Sequence, residues 1–168
     1  GNIELVQSAS GCPSGTTSIT PVDGSTTTCE VSGTITSDLT LTEGNFYALS
    51  GAVFVGGDKE NSATLTVEPG VTVYGASGND YLVISRDSEI NANGTAENPI
   101  TFTSRDHVVG GLEAGEAGQW GGMIIEATTT GGESFRKHQV HVKVVTEVDF
   151  AVKQPLAFNI LDEVRYAP

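Results

Sequence analysis

Residues 63–104 read ATLTVEPGVTVYGASGNDYLVISRDSEINANGTAENPITFTS, and this stretch decides the fold. Leu65 and Val67, Val71 and Val73, Leu82 and Ile84, and Ile100 and Phe102 alternate with polar residues at a period of two. That is the period of half-buried strands. Glu68-Pro69-Gly70 and Asn93-Gly94-Thr95 separate the runs. Pro presets one turn dihedral, while Gly and Asn accept a positive φ, so both triplets predict turns. Ser85-Arg86-Asp87 returns as Ser104-Arg105-Asp106 nineteen positions later. A recurrence at that scale implies a repeat whose units bury their apolar faces by stacking on one another. Coils of about nineteen residues are expected, which would stack Arg86 on Arg105 and Asp87 on Asp106.

The same texture extends outward on both sides. Ile35, Leu39 and Leu41 precede a turn at Glu43-Gly44-Asn45, and Phe46 to Leu49 and Ala52 to Val55 follow around Gly51. After Asp106 a Gly-rich acidic excursion, HVVGGLEAGEAG, interrupts the strands. Gln119-Trp120-Gly121-Gly122 then leads into an expected strand from Met123 to Ile125. No window before position 133 shows the periodicity of a helix. Three organisational segments are expected: 1–33, a short strand (Ile3 to Val6) and a Cys loop forming a cap; 34–132, the repeating strands; and 133–168, a strand-rich extension. That extension is a possible cap or donor strand, with Val140, Val142, Val144, Val148 and Phe150 as its apolar positions.

The 168 residues suit one domain with a sizeable core. Residues 1–132 carry 3 Lys/Arg against 16 Asp/Glu, whereas 133–168 carry 5 of each, and all 21 Gly lie before position 133. The net charge of −13 repels a polyanion, so no nucleic-acid partner is expected. No apolar run is long enough to span a membrane. Cys12 and Cys29 are the only cysteines, and a disulfide closing that Gly/Ser/Thr-rich loop is the simplest pairing. It implies an oxidising compartment, hence a secreted or cell-surface location. The opening at Gly1, without Met or leader, suits a mature secreted form.

Hairpin signals are sparse, which argues against a sandwich and for an all-β solenoid. Four segments carry a resemblance: GTITSDLTL (33–41), ATLTVEPGVTVYG (63–75), INANGTAENPITFTS (90–104) and GQWGGMII (118–125). They resemble the opening coils of bacterial secreted and surface proteins of the pectin-lyase-like superfamily. The resemblance spans Gly33 to Ile125, a little over half of the chain. It implies a right-handed parallel β-helix, with a disulfide-closed amino-terminal cap and a strand-rich carboxy-terminal segment. It says little of function, because one fold hosts many activities.

Chemistry-bearing residues are few. Arg86, Arg105, Asp87 and Asp106 form either a surface charge ladder or, in the manner of β-helical lyases, a Ca²⁺ cluster beside arginine. Glu113 and Glu116 could join Asp106 on a metal, though the acidic spacing is not that of a dedicated calcium loop. No cofactor is otherwise expected. His138 and His141 fall on opposite faces of a strand, and His107 has no nucleophile placed beside it by sequence. Trp120 reads as corner packing or as a sugar-stacking platform. Asn93-Gly94-Thr95 matches the N-glycosylation pattern, with the turn as its plainer role. No catalytic residue is assigned. The expectation is a non-catalytic extracellular structural or adhesive protein that self-associates through the ends of its helix into a filament or layer. A carbohydrate-active enzyme or a polysaccharide-binding module on the same scaffold is the alternative.

Overall fold

Alternation of Thr with Val, Leu and Ile gives strands because branched side chains suit a pleated surface that is buried on one side. The computed structural model describes residues 11–111 and 117–126. It contains β1 (Thr17–Ile19), β2 (Thr28–Ile35), β3 (Leu39–Leu41), β4 (Phe46–Val55) and β5 (Thr64–Val67). These are followed by β6 (Thr72–Gly75), β7 (Tyr81–Ile84), β8 (Glu89–Ala92), β9 (Thr101–Ser104), α1 (Arg105–Val109) and β10 (Gly122–Ile125). Every pairing between these strands is parallel except that of β1 with β2.

Three ladders result, and the chain visits them in a fixed order. The first is β3-β5-β8. The second runs from the front half of β2 through the front half of β4 to β6 and β9. The third takes the back halves of β2 and β4, then β7 and β10. In β2 and β4 one continuous strand passes from the second ladder to the third, turning at Gly33 (φ 68°) and Gly51 (φ 69°). Both φ values lie in the left-handed region that glycine enters without a Cβ penalty. The register between β2 and β4 shifts at that corner, Ser32 facing Ser50 and Gly33 facing Val53.

Residues one ladder step apart stack in columns, and the inward columns are apolar. Cys29, Tyr47, Val73 and Phe102 form one; Leu39, Leu65 and Ile90 another; Val53, Leu82 and Met123 a third. All are buried, Tyr47, Val53 and Phe102 completely. Burying a side chain such as Leu65 contributes about 1.5–3 kcal/mol. The Tyr47 hydroxyl is not stranded in this core: it accepts from Thr42 N at 2.8 Å and from Asn45 Nδ2 at 3.3 Å, so the turn at Thr42–Asn45 satisfies it.

The register agrees with the expected coil length only at the first step, where Cys29 pairs with Tyr47 and Gly33 with Val53, steps of 18 and 20, and corrects it at the later ones. Leu39 pairs with Leu65, Leu65 with Ile90 and Tyr47 with Val73, so one step up a ladder advances the numbering by 26, 25 and 26. Val73 with Phe102 and Val53 with Leu82 are steps of 29, and Leu82 to Met123 is 41. The nineteen-residue echo compares β7, in the third ladder, with β9, in the second. Arg86 and Arg105 therefore follow strands of different ladders and do not stack, and neither do Asp87 and Asp106. Similar chemistry recurs wherever a buried Ser ends a strand, and this happens at more than one corner per circuit.

Two further differences concern the ends of the strand region. Strand β2 starts at Thr28, ahead of the expected boundary at Gly33, and so joins the Cys loop to the ladders. A short helix, α1, begins the excursion, where no helix was expected. Ser104 accepts from His107 N as its N-cap, and Gly110 (φ 78°) closes it in the left-handed conformation. The expected disulfide joins Cys12 to Cys29. Closing a loop of that size stabilises the fold by about 3 kcal/mol in the chain-entropy picture. The expected strand at Ile3 to Val6 and all readings of 133–168, His138 and His141 included, lie outside the described residues.

Candidate functional site

Strand alternation that points Tyr47, Val73 and Phe102 inward turns their neighbours outward. On the second ladder the outer rows are Phe46–Thr72–Thr101 and Ala48–Tyr74–Thr103. Helix α1 folds back beside them, because it leaves β9 directly and packs on β9 and β6. Phe46, Thr72, Thr101 and Thr103 with His107 and Val108 of α1 enclose an open groove of about 240 Å³. Two hydroxyl-bearing residues here are outward-facing yet covered: Thr103 is 8% exposed and Tyr74 4%. Among the described residues neither hydroxyl has a hydrogen-bond partner. Leaving a buried hydroxyl unpaired costs on the order of 1–3 kcal/mol. An unpaired hydroxyl lining a groove is therefore a group that a ligand can satisfy.

Electrostatics at this face come from three residues. Burial pushes the Tyr74 phenol above its ordinary value; Arg105 acts in the opposite direction, and Glu30 adds to the rise. Arg105 thus belongs with Tyr74 and Glu30 on the second ladder, not with Arg86. Arg86 is paired instead with Asp58 in the loop before β5, on side chains 37% and 58% exposed. An ion pair so exposed is worth roughly 0–1 kcal/mol. Asp87, beside it, takes φ 69° in the turn after β7. Asp is one of the few residues to tolerate that conformation.

The corner between the second and third ladders is the other place where chain is spent beyond what the strands need. In β4 it consists of Gly51 alone; between β6 and β7 it is residues 76–80; between β9 and β10 it is residues 105–121. Asp80 ties the levels together. Its Oδ1 accepts from Gly51 N at 2.7 Å, and its Oδ2 accepts from Ala76 N at 2.8 Å and Ser77 N at 3.0 Å. Its backbone carbonyl accepts from Gly121 N at 2.8 Å. Trp120 sits at this corner half-buried, packed against the core. A Cβ on Gly75 would lie 2.8 Å from the Cβ of Trp120, and one on Gly121 would lie 2.8 Å from both Gly78 O and the Cβ of Tyr81. Gly75 and Gly121 are thus required by close approach of the two loops, whereas Gly118 (φ 74°) and Gly122 (φ 87°) face open space and are favoured by their left-handed backbone.

Of the expected metal ligands, the two that lie among the described residues are not brought together. Asp87 and Asp106 hang from different ladders, and Glu113 and Glu116 lie outside the described residues. No group of three His, Cys, Asp or Glu side chains suited to a metal ion occurs among the described residues. Asn93 is exposed on the loop after β8, and a Cβ on Gly94 would come 2.9 Å from Ile100 N, so the turn itself demands the glycine. His107, set aside at sequence level, lines the groove. Its signal was the Ser104-to-Gly110 capping pattern, which places it on a one-turn helix over the strand. No described helix is long and apolar enough to cross a membrane.

A family model described as a pectate-lyase like beta helix domain matches residues 33–145, about two thirds of the chain. No curated protein and no solved structure gives a significant match.

Proposed function

Because this chain belongs to the pectate-lyase-like beta helix domain family, we propose that its three ladders are the faces of a right-handed parallel β-helix serving as a non-catalytic extracellular structural or adhesive element. The fixed order in which the chain visits the ladders supports the coil, and parallel crossovers are right-handed in nearly all proteins. The disulfide supports an extracellular location. One observation carries the structural role. The last strands of two ladders, β9 and β10, have no strand partner on their far edge among the described residues. Open strand edges pair with other chains unless they are covered. The segment ahead of β2 acts as the amino-terminal cap, residues from Thr28 to 132 as the coils and 133–168 as the carboxy-terminal cap or donor strand. Contacts of this head-to-tail kind are heterologous, and when their rotation does not close a ring, repeated end-to-end association builds a fibre or layer.

Sedimentation and electron microscopy, over a wide range of concentration and salt and with the disulfide oxidised or reduced, test this reading. Elongated, concentration-dependent assemblies are expected. A single-sized monomer under every one of those conditions would defeat it.

A second reading, a carbohydrate-binding or carbohydrate-active protein, is favoured by the groove with its unpaired Thr103 hydroxyl. Phe46 offers a ring for stacking, and the threonines offer hydrogen bonds. Titration with neutral and acidic oligosaccharides, followed by NMR, decides it. Binding should fall at least ten-fold in Phe46→Ala and be unchanged in Ile124→Ala, on a different face. No shifts at millimolar oligosaccharide would remove this reading.

A further inference from the structure

The end-to-end reading leaves one end blocked. Three features lie over the start of the ladders. Strand β1 pairs antiparallel with Thr28–Glu30 and so occupies less than half of the free edge of the eight-residue β2. Cys12 packs against the core and is bonded to Cys29, which is fully buried at the head of the Cys29–Tyr47–Val73–Phe102 column. The backbone at Gly15 passes over β3, the outermost strand of the first ladder, close enough that a Cβ there would lie 3.9 Å from Leu39 Cδ1. Residues 11–27 therefore cover the edge of one ladder and the apolar end of the core.

The attachments of this segment to the ladders are few. Among the described residues they are the three-residue pairing with β2, the disulfide, and hydrogen bonds including Asn45 Nδ2 to Gly11 O at 2.8 Å, Phe46 N to Thr27 O at 2.9 Å, and Val22 N to Thr28 Oγ1 at 3.1 Å. Within the segment, Asp23 accepts from Ser25 N at 2.9 Å and Thr26 N at 2.7 Å. These order the loop without fastening it to the coils behind. An incoming parallel strand needs the whole edge of β2, and antiparallel β1 stands in its way.

We infer that residues 11–27 form a thiol-operated end cap, whose release exposes β2 and the apolar end of the core to the last rung of a second copy of this chain. The inference rests on the end-to-end reading and supplies its regulation. The chemistry is exchange with a small-molecule thiol. Its thiolate attacks Cys12 Sγ, the partly buried sulfur, forming a mixed disulfide and expelling Cys29 as a thiolate that takes up a proton. A second thiol then displaces Cys12 as a thiol and leaves as the small-molecule disulfide. Two electrons pass from two thiols to one protein disulfide.

The full chain, oxidised and in dithiothreitol, is compared by hydrogen exchange and by analytical ultracentrifugation. Cys12→Ser serves as a second route to the open loop that leaves the buried Cys29 in place. Exchange at residues 28–30 should rise at least ten-fold in the reduced chain and in Cys12→Ser, while β4 to β9 stay protected. Both forms should shift to end-to-end series, and reoxidation should return the wild-type chain to its smaller form. Equal association of oxidised and reduced chains overturns the cap and leaves the end-to-end reading standing. Faster exchange without association overturns the docking role and the end-to-end reading with it. Unchanged exchange at 28–30, or loss of protection throughout β4 to β9, overturns the cap.

Discussion

Two corners of the stack are built on opposite plans. Between the first and second ladders the first two levels spend turns of four residues, 42–45 and 68–71, and the third spends eight, 93–100, and successive turns hold one another. Glu43 N donates to Glu68 Oε2 at 2.7 Å, and Gly70 N donates to Asn98 O at 3.0 Å. Between the second and third ladders the connection grows from a single glycine to five and then seventeen residues. One corner repeats, and the other accumulates chain around Asp80. Backbone repetition keeps the ladders in register, while surplus chain at the other corner brings α1 over the outer face of the second ladder. The groove exists because the second plan departs from the first.

Substitutions at matched positions would break that comparison. Asp80→Ala removes the acceptor of three backbone N–H groups belonging to two levels. A loss of about 1–3 kcal/mol is expected, read as a lower urea midpoint, with a change in Trp120 fluorescence as the corner loosens. Glu68→Ala removes a single exposed contact at the repeating corner. Its cost should stay at about 0.5–1.5 kcal/mol, with Trp120 fluorescence unchanged. Equal effects at both sites would erase the distinction between the corners.

The smallest expected effect lies outside both corners, in the Cys loop. Hydrogen bonds from the Thr26 side chain, then from the backbone of Thr26 and Ser25, lower the Asp23 carboxyl from 3.8 to about 2. A carboxylate depressed in the folded state contributes stability that is present above its unfolded value near 3.8 and is lost as pH falls through about 2. NMR titration should place the Asp23 midpoint near 2 in the native chain. Thr26→Val should move it toward 3.8. A midpoint already near 3.8 in the native chain would show that the turn is not held by these bonds.

The sequence displays the strands plainly because alternation and turn chemistry are local. Leu65 and Val67, or Glu68-Pro69-Gly70, can be read within a few positions. Coil length could not be read the same way. Cys29 to Tyr47 is a step of 18, Leu65 to Ile90 of 25 and Leu82 to Met123 of 41, so no one period holds along the chain. The shorter Ser-Arg-Asp echo filled that gap and crossed from one ladder to another. Helix α1 is a single turn, too short for a helical period to emerge, and only its caps at Ser104 and Gly110 announce it. The groove was hidden for a related reason. Phe46, Thr72 and Thr101 are neighbours only through register, at separations of 26 and 29. Disulfide pairing was legible because two cysteines leave one choice.

The unbroken strands β2 and β4 have a mechanical consequence. Where one backbone serves two ladders and bends only at Gly33 or Gly51, the faces meet in a crease with no slack. At the level of β9 and β10 seventeen residues of chain separate the same two faces. Under load the early levels should behave as a folded plate and the late ones as hinged leaves. A stretched chain would then shed β10 long before the crease at Gly51 opens.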